Sequence, residues 1–160
     1  MSTSSRKTYV IDTNVLIEFS IWIPISLNNY FWSKLEDALK NGEWILLDVV
    51  VDEILYMPEL KKWCQRQKHA GFVKSITDDN RNRAVEINSL YPMIDKNTAK
   101  STVDTYLIAY AEASGLTIFS RESPRKSVSD VYKIPDTCTA LKVDRIARPE
   151  PFLTAIGFKN

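Results

Sequence analysis

A chain of 160 residues with 21 Lys+Arg against 20 Asp+Glu, 44% apolar and 26% charged, has ordinary globular composition. A chain of that length buries about 70% of the surface its unfolded form exposes, so a core forms without disulfide or metal staples, and one domain over 1–160 is expected. The net charge of +1 excludes a polybasic nucleic-acid coat but not a nucleic-acid enzyme, because a balanced total conceals segregated charge.

Thr8–Ile11 is a short β-rich run that stops at Asp12-Thr13-Asn14. Pro24 and Ser26 open a helical pattern in which Leu27, Tyr30, Phe31, Leu35, Ala38 and Leu39 recur at three and four, and Asn41-Gly42 closes it. Trp44–Leu47 is a second buried strand, with Asp48 as N-cap of a helix over Val49–Tyr56. Pro58 begins a helix to about Lys68, and Thr77 caps another that ends near Leu90. Ser101 or Thr102 caps Val103–Ser114, which Gly115 terminates. Leu116–Phe119 and Val131–Ile134 read as the third and fourth strands. Pro135 starts a short helix, and Pro149–Ile156 supplies a last helical turn or two. Short, continuously apolar strands alternating with helices predict a three-layer α/β/α sandwich around a central, mostly parallel sheet.

Cys64 and Cys138 form no metal or disulfide spacing and read as buried thiols. The single histidine, His69, excludes a histidine-centred metal site and reads as a surface residue. Met1 to Lys7 are polar and no apolar run approaches the roughly 20 residues of a membrane span, so a soluble, cytoplasmic protein with no membrane partner is expected.

Sites in open parallel sheets lie beyond the carboxyl ends of the strands. Asp12 follows the first strand, Asp48 and Glu53 the second, and Ser120-Arg121-Glu122 the third. Asp104 lies in the first turn of the helix before strand three, and Asp136 follows the fourth. Asp48 and Asp136, taken singly, read as helix-start acids. Acids from separated segments at one edge repel unless a cation lies between them, and an all-oxygen set selects Mg²⁺ or Mn²⁺.

Four segments carry a family resemblance. They are Tyr9–Ile17, an apolar strand ending in Asp-Thr-Asn; Leu47–Ile54, containing Glu53; Thr102–Ala111, with Asp104 before an apolar, Ala-containing run; and Leu116–Glu122. In this order they resemble PIN-domain ribonucleases, especially VapC-type toxins. The resemblance implies Asp12, Glu53, Asp104 and Glu122 as the catalytic, metal-holding acids. The fourth is Glu where the family usually has Asp, and Ser120 stands where it usually has Thr. Lys133–Cys138 resembles the C-terminal element of a PIN-like branch in which Asp136 supplements or replaces Glu122 at the metal. The implied activity is endoribonucleolytic hydrolysis of RNA with Mg²⁺ or Mn²⁺, leaving a 5′-phosphate and a 3′-hydroxyl. The implied partners are a small antitoxin protein and a second copy in a homodimer.

Thr13, Asn14 and Ser120 are candidates to position the acids or the substrate. Residues 61–83 carry seven basic against two acidic residues, and residues 121–133 four against two, so both segments are candidates for phosphate contact. A non-catalytic PIN-like module that binds RNA or protein is the competing reading. A dehalogenase-like phosphatase is disfavoured because Asp12-Thr13-Asn14 lacks the second Asp, and no P-loop or dinucleotide-binding glycine motif occurs.

Overall fold

The computed structural model describes residues 7–95, 97 and 101–159; the polar stretch Met1–Arg6 lies outside them. The elements in chain order are β1 (Tyr9–Ile11), α1 (Thr13–Trp22), α2 (Asn29–Lys40), β2 (Trp44–Ile45), α3 (Asp48–Glu53), α4 (Pro58–His69), α5 (Asp78–Leu90), α6 (Thr102–Ser114), β3 (Thr117–Phe119), α7 (Ile134–Leu141), β4 (Arg145–Ile146) and α8 (Pro149–Ala155). The strands form one all-parallel sheet in the order β2–β1–β3–β4. Every residue of β1 and β3 is buried, as central strands flanked by helices require. The expected α/β architecture therefore forms, with a central all-parallel four-stranded sheet flanked by helices.

The sheet reverses direction at β1. The chain leaves β1 to build β2 on one side, then returns to place β3 on the other. The crevice beyond the carboxyl ends of β1 and β3 is thus a topological switch point, where ligand sites in open sheets collect. Register fixes that edge: Ile11 pairs with Phe119, and the Asp12 N–H continues the ladder to the Phe119 carbonyl at 3.0 Å.

Aromatic packing supports the sheet. Trp32, Trp44, Trp63, Phe119 and Phe152 are fully buried. The rings of Trp44 and Trp63 stack 6.5 Å apart, and Trp32 meets Trp63 edge-on at 5.2 Å. The indole N–H groups of Trp44 and Trp32 are satisfied locally, Trp44 donating to the Leu35 carbonyl at 2.9 Å and Trp32 to the Ile23 carbonyl at 2.6 Å, whereas that of Trp63 is buried without a partner. Cys64 and Cys138 are buried and free, and His69 is exposed, as their contexts predict. No helix among the described residues is long and apolar enough to cross a membrane.

Four local expectations change. Residues 13–22, left without an element by periodicity, form α1. Apolar residues occupy most of its circumference and several are β-branched, so no single stripe marks a helix; burial of Val15, Leu16 and Phe19 selects one. The next helix starts at Asn29, not at Pro24 or Ser26: Pro24 accepts from Leu27 and Asn28 in a turn, and the Asn28 side chain accepts from the Phe31 N–H at 3.1 Å. The helix expected to reach Tyr56 stops at Glu53. Val131–Ile134 is not a strand. Tyr132 donates to the Pro92 carbonyl at 2.8 Å and stacks on Tyr91, while Lys133 caps α7. The fourth strand is Arg145–Ile146, too short and too polar to be read from alternation.

Candidate metal centre

Asp12 is the hub of the edge. It is 4% exposed, and both carboxylate oxygens are engaged: Oδ1 accepts from the Thr13 N–H at 2.7 Å and Oδ2 from the Ser120 hydroxyl at 2.7 Å. Ser120 is fully buried, its N–H bound to the Ile146 carbonyl of β4. Its hydroxyl also accepts from the Glu122 N–H at 3.1 Å, so one side chain ties the acid after β1 to the acid after β3.

Glu122 turns back toward the sheet because its Oε2 accepts from the Ile134 N–H at 3.3 Å, at the start of α7. Lys133 Nζ lies 3.9 Å from Oε1. Asp104 comes from the first turn of α6, whose entry is set by Ser101 in the left-handed region at φ 71°. One carboxylate oxygen from each of Asp12, Asp104 and Glu122 lies within 4.8 Å of the others.

Glu53, at the end of α3, is outside that triad but coupled to it. Its Oε1 accepts the Thr13 hydroxyl at 2.5 Å, the charge of Asp12 acts on it, and its own charge acts on Asp104. Asp136, the other acid expected at the edge, is not brought into the triad. Its Oδ2 accepts the N–H groups of Arg125 and Lys133, both at 3.0 Å, which fixes the turn into α7. Asp48 likewise serves a helix start, accepting from Val49 at 2.7 Å and Ile76 at 3.3 Å.

The electrostatics are those of crowded acids losing water. Burial raises the Asp12 carboxyl to about 6, against the Ser120 hydrogen bond, and Glu122 adds to the rise. Burial and then the charges of Asp12, Glu122 and Glu53 raise Asp104 to about 8. Glu53 and Glu122 are also held above the usual carboxylate range, first by lost solvation. Such a cluster is costly for a bare protein and suits a hard divalent cation, which supplies the missing positive charge and takes oxygen ligands. The acidic triad can hold a metal ion.

Thr13, Asn14 and Ser120 act as supports: Thr13 orients Glu53, Ser120 orients Asp12, and Asn14 Oδ1 accepts from the Arg121 N–H at 3.2 Å. Much of the predicted basic excess is committed internally. Arg66 pairs with Glu36, Lys68 with Asp52, Arg81 with Asp78, Arg83 with Glu112, and Arg121 with Glu18. Sequence reasoning did not single out Tyr91 and Arg145, which lie near α7; no motif marks them because the fold alone brings them together.

Among curated proteins no sequence matches this chain. A solved structure described as VapBC2 from Rickettsia felis bound to a DNA fragment from their promoter is similar at 16% identity and a TM-score of 0.43, over 72% of this chain and 87% of that one. A family model described as a domain of unknown function, DUF4411, matches residues 9–158, and the chain belongs to that family.

Proposed function

We propose that the protein is a metal-dependent endoribonuclease of the PIN-domain kind, acting as the cytoplasmic toxin of a toxin–antitoxin pair. The observation that carries the nuclease reading is the convergence of Asp12, Asp104 and Glu122 within 4.8 Å at the switch point of the sheet. The toxin assignment, with a small antitoxin and a homodimer as partners, is supported by the resemblance of the four sequence segments.

Asp12, Asp104 and Glu122 hold Mg²⁺ or Mn²⁺ in this reading. A cation held there would supply Lewis acidity, making water more acidic and offsetting the charge of the attacked phosphate. Glu53, held through Thr13 and close enough for its charge to act on Asp104, would accept or orient a proton of the attacking water. Ser120 keeps Asp12 and Glu122 at a set separation. Asp136 holds the loop wall and stays off the metal.

The test is incubation of single-stranded RNA with the purified protein and with Asp12→Asn, in Mg²⁺ or Mn²⁺. Cleavage by the parent, abolished by EDTA and by the substitution, is expected. Equal cleavage by both forms points to a contaminating nuclease and removes the site assignment. RNA binding without cleavage favours a binding module.

A further inference from the structure

Beside the acids, on the far side of residues 133–136, lies a cleft of about 400 Å³ lined by Tyr91, Arg125, Tyr132, Pro135, Asp136 and Arg145 among others. That volume is in the range that holds a small organic ligand. The cleft and the triad share a wall. Ile134 donates to Glu122, and the next residues but one, through Asp136, hold Arg125 and Lys133.

Its lining combines stacked aromatic rings with two guanidinium groups. The Arg125 guanidinium sits 3.8 Å over the ring of Tyr132, which stacks on Tyr91 at 5.4 Å with 27° between planes. Arg125 Nη1 is pinned by the carbonyls of Val128 and Asp130, both at 3.3 Å. The Tyr132 ring thus contacts both Tyr91 and the Arg125 guanidinium, a planar group on which nucleobases stack. Arg145, on β4, enters no ion pair among the described residues and adds a cation to the same cleft. The acid in the lining, Asp136, has its Oδ2 occupied by two backbone N–H groups. A planar stacking platform beside an unpaired guanidinium matches one chemical class: a nucleotide, with a base for the platform and a phosphate for the arginine.

We infer that this cleft receives the nucleotide adjoining the cleaved linkage of single-stranded RNA, its base on the Arg125–Tyr132–Tyr91 ladder and its phosphate on Arg145. The inference rests on the nuclease reading for its substrate, but it is tested without turnover. The experiment measures anisotropy of a labelled single-stranded RNA dodecamer in EDTA with the full chain, Arg125→Ala, Arg125→Lys, Arg145→Gln and Asp12→Asn, with circular dichroism on each. Arg125→Ala and Arg145→Gln are expected to weaken binding about tenfold each. Arg125→Lys, which keeps charge but loses the plane, is expected to weaken it nearly as much as Arg125→Ala. Asp12→Asn is expected to bind at least as tightly as the parent. Should Arg125→Ala unfold the loop, Arg125→Lys and Arg145→Gln carry the test.

With Mn²⁺ present, the Arg145→Gln protein is expected to raise KM while retaining kcat. A parent that fails to bind the dodecamer, or arginine variants that bind as the parent does, overturns the inference. The two readings fail separately. Arginine-dependent binding with no metal-dependent cleavage leaves the cleft and removes the nuclease. Cleavage with unaltered binding in the arginine variants leaves the nuclease and removes the cleft.

Discussion

Asp104 shows what the bare site costs. Its carboxyl sits at about 8 and that of Asp12 at about 6, both raised from an ordinary 3.8 by burial first and by neighbouring acids after it. A raised native pKa means that the folded state holds the proton more tightly than the unfolded state. Each acid therefore destabilises the folded chain as pH rises through its window, from 3.8 to about 6 for Asp12 and from 3.8 to about 8 for Asp104. In EDTA, the contribution of these acids to unfolding free energy is expected to fall between pH 5 and pH 8, and Asp104→Asn is expected to flatten the upper part of that fall. Urea titrations at pH 5, 6.5 and 8 measure it; parallel curves for parent and variant would contradict the assignment. Ser120 tests the same cluster from the other side. Its hydroxyl donates to Asp12 and accepts from Glu122, with no exposure to solvent. Ser120→Ala strands both partners and is expected to cost about 1–3 kcal/mol at pH 7, read as a lower urea midpoint at unchanged slope.

At the scale of elements, the start of α7 engages Asp136, which lies outside the acidic triad proposed to hold metal. Two backbone N–H groups converge on Asp136 Oδ2 where the chain enters the helix. Asp136→Ala is expected to cost about 1–2 kcal/mol, as the loss of a helix-start acceptor does, and to leave Mn²⁺ affinity within twofold of the parent by calorimetry. A tenfold loss of affinity would make Asp136 a ligand. The same region shows what the sequence can and cannot disclose. Asp12, Asp104 and the residues after β3 were legible because each follows or opens an element whose local signals are strong: an apolar run before Asp12, and Gly115 at φ 66° ending the helix that Asp104 begins. The α5 start was legible for the same reason, since Thr77 and Asn80 exchange hydrogen bonds in a capping box. Val131–Ile134 was misread because an apolar tetrapeptide looks alike in a strand and in a loop. Its partners, Pro92 and Tyr91, are about forty positions away and carry no local signal. Helix α1 was missed because packing, not periodicity, decides a segment that is apolar nearly all round. The cleft at Arg145 depends on strand pairing with β3, which local sequence does not encode.

For the molecule as a whole, the near balance of 21 basic and 20 acidic residues hides an uneven distribution. Arg66, Lys68, Arg81 and Arg83 spend their charge on Glu36, Asp52, Asp78 and Glu112, pairs formed away from the acids of the metal centre. At the switch point the acids outnumber the cations: Asp12, Asp104, Glu122 and Glu53 crowd one another, and among the described residues Lys133 places its ammonium 3.9 Å from Glu122. The fold therefore carries an electrostatic penalty that a bound divalent cation would offset, so the proposed site makes stability depend on metal. A ligand at a hundred times its dissociation constant stabilises the folded state by about 2.7 kcal/mol, which for a chain near this length raises Tm by roughly 5–10 °C. Saturating Mn²⁺ at pH 8 is expected to give a rise of that size in the parent. At pH 5.5 the rise is expected to shrink, because protons on Asp104 and part of Asp12 compete for the same oxygens. Asp12→Asn is expected to lose most of the rise while keeping its metal-free Tm at or above that of the parent, since one of the repelling charges is gone. Thermal scans at both pH values, with Mn²⁺ and with EDTA, measure all three quantities. A Tm that ignores Mn²⁺ in the parent, or an equal rise in Asp12→Asn, would show that these acids hold no cation.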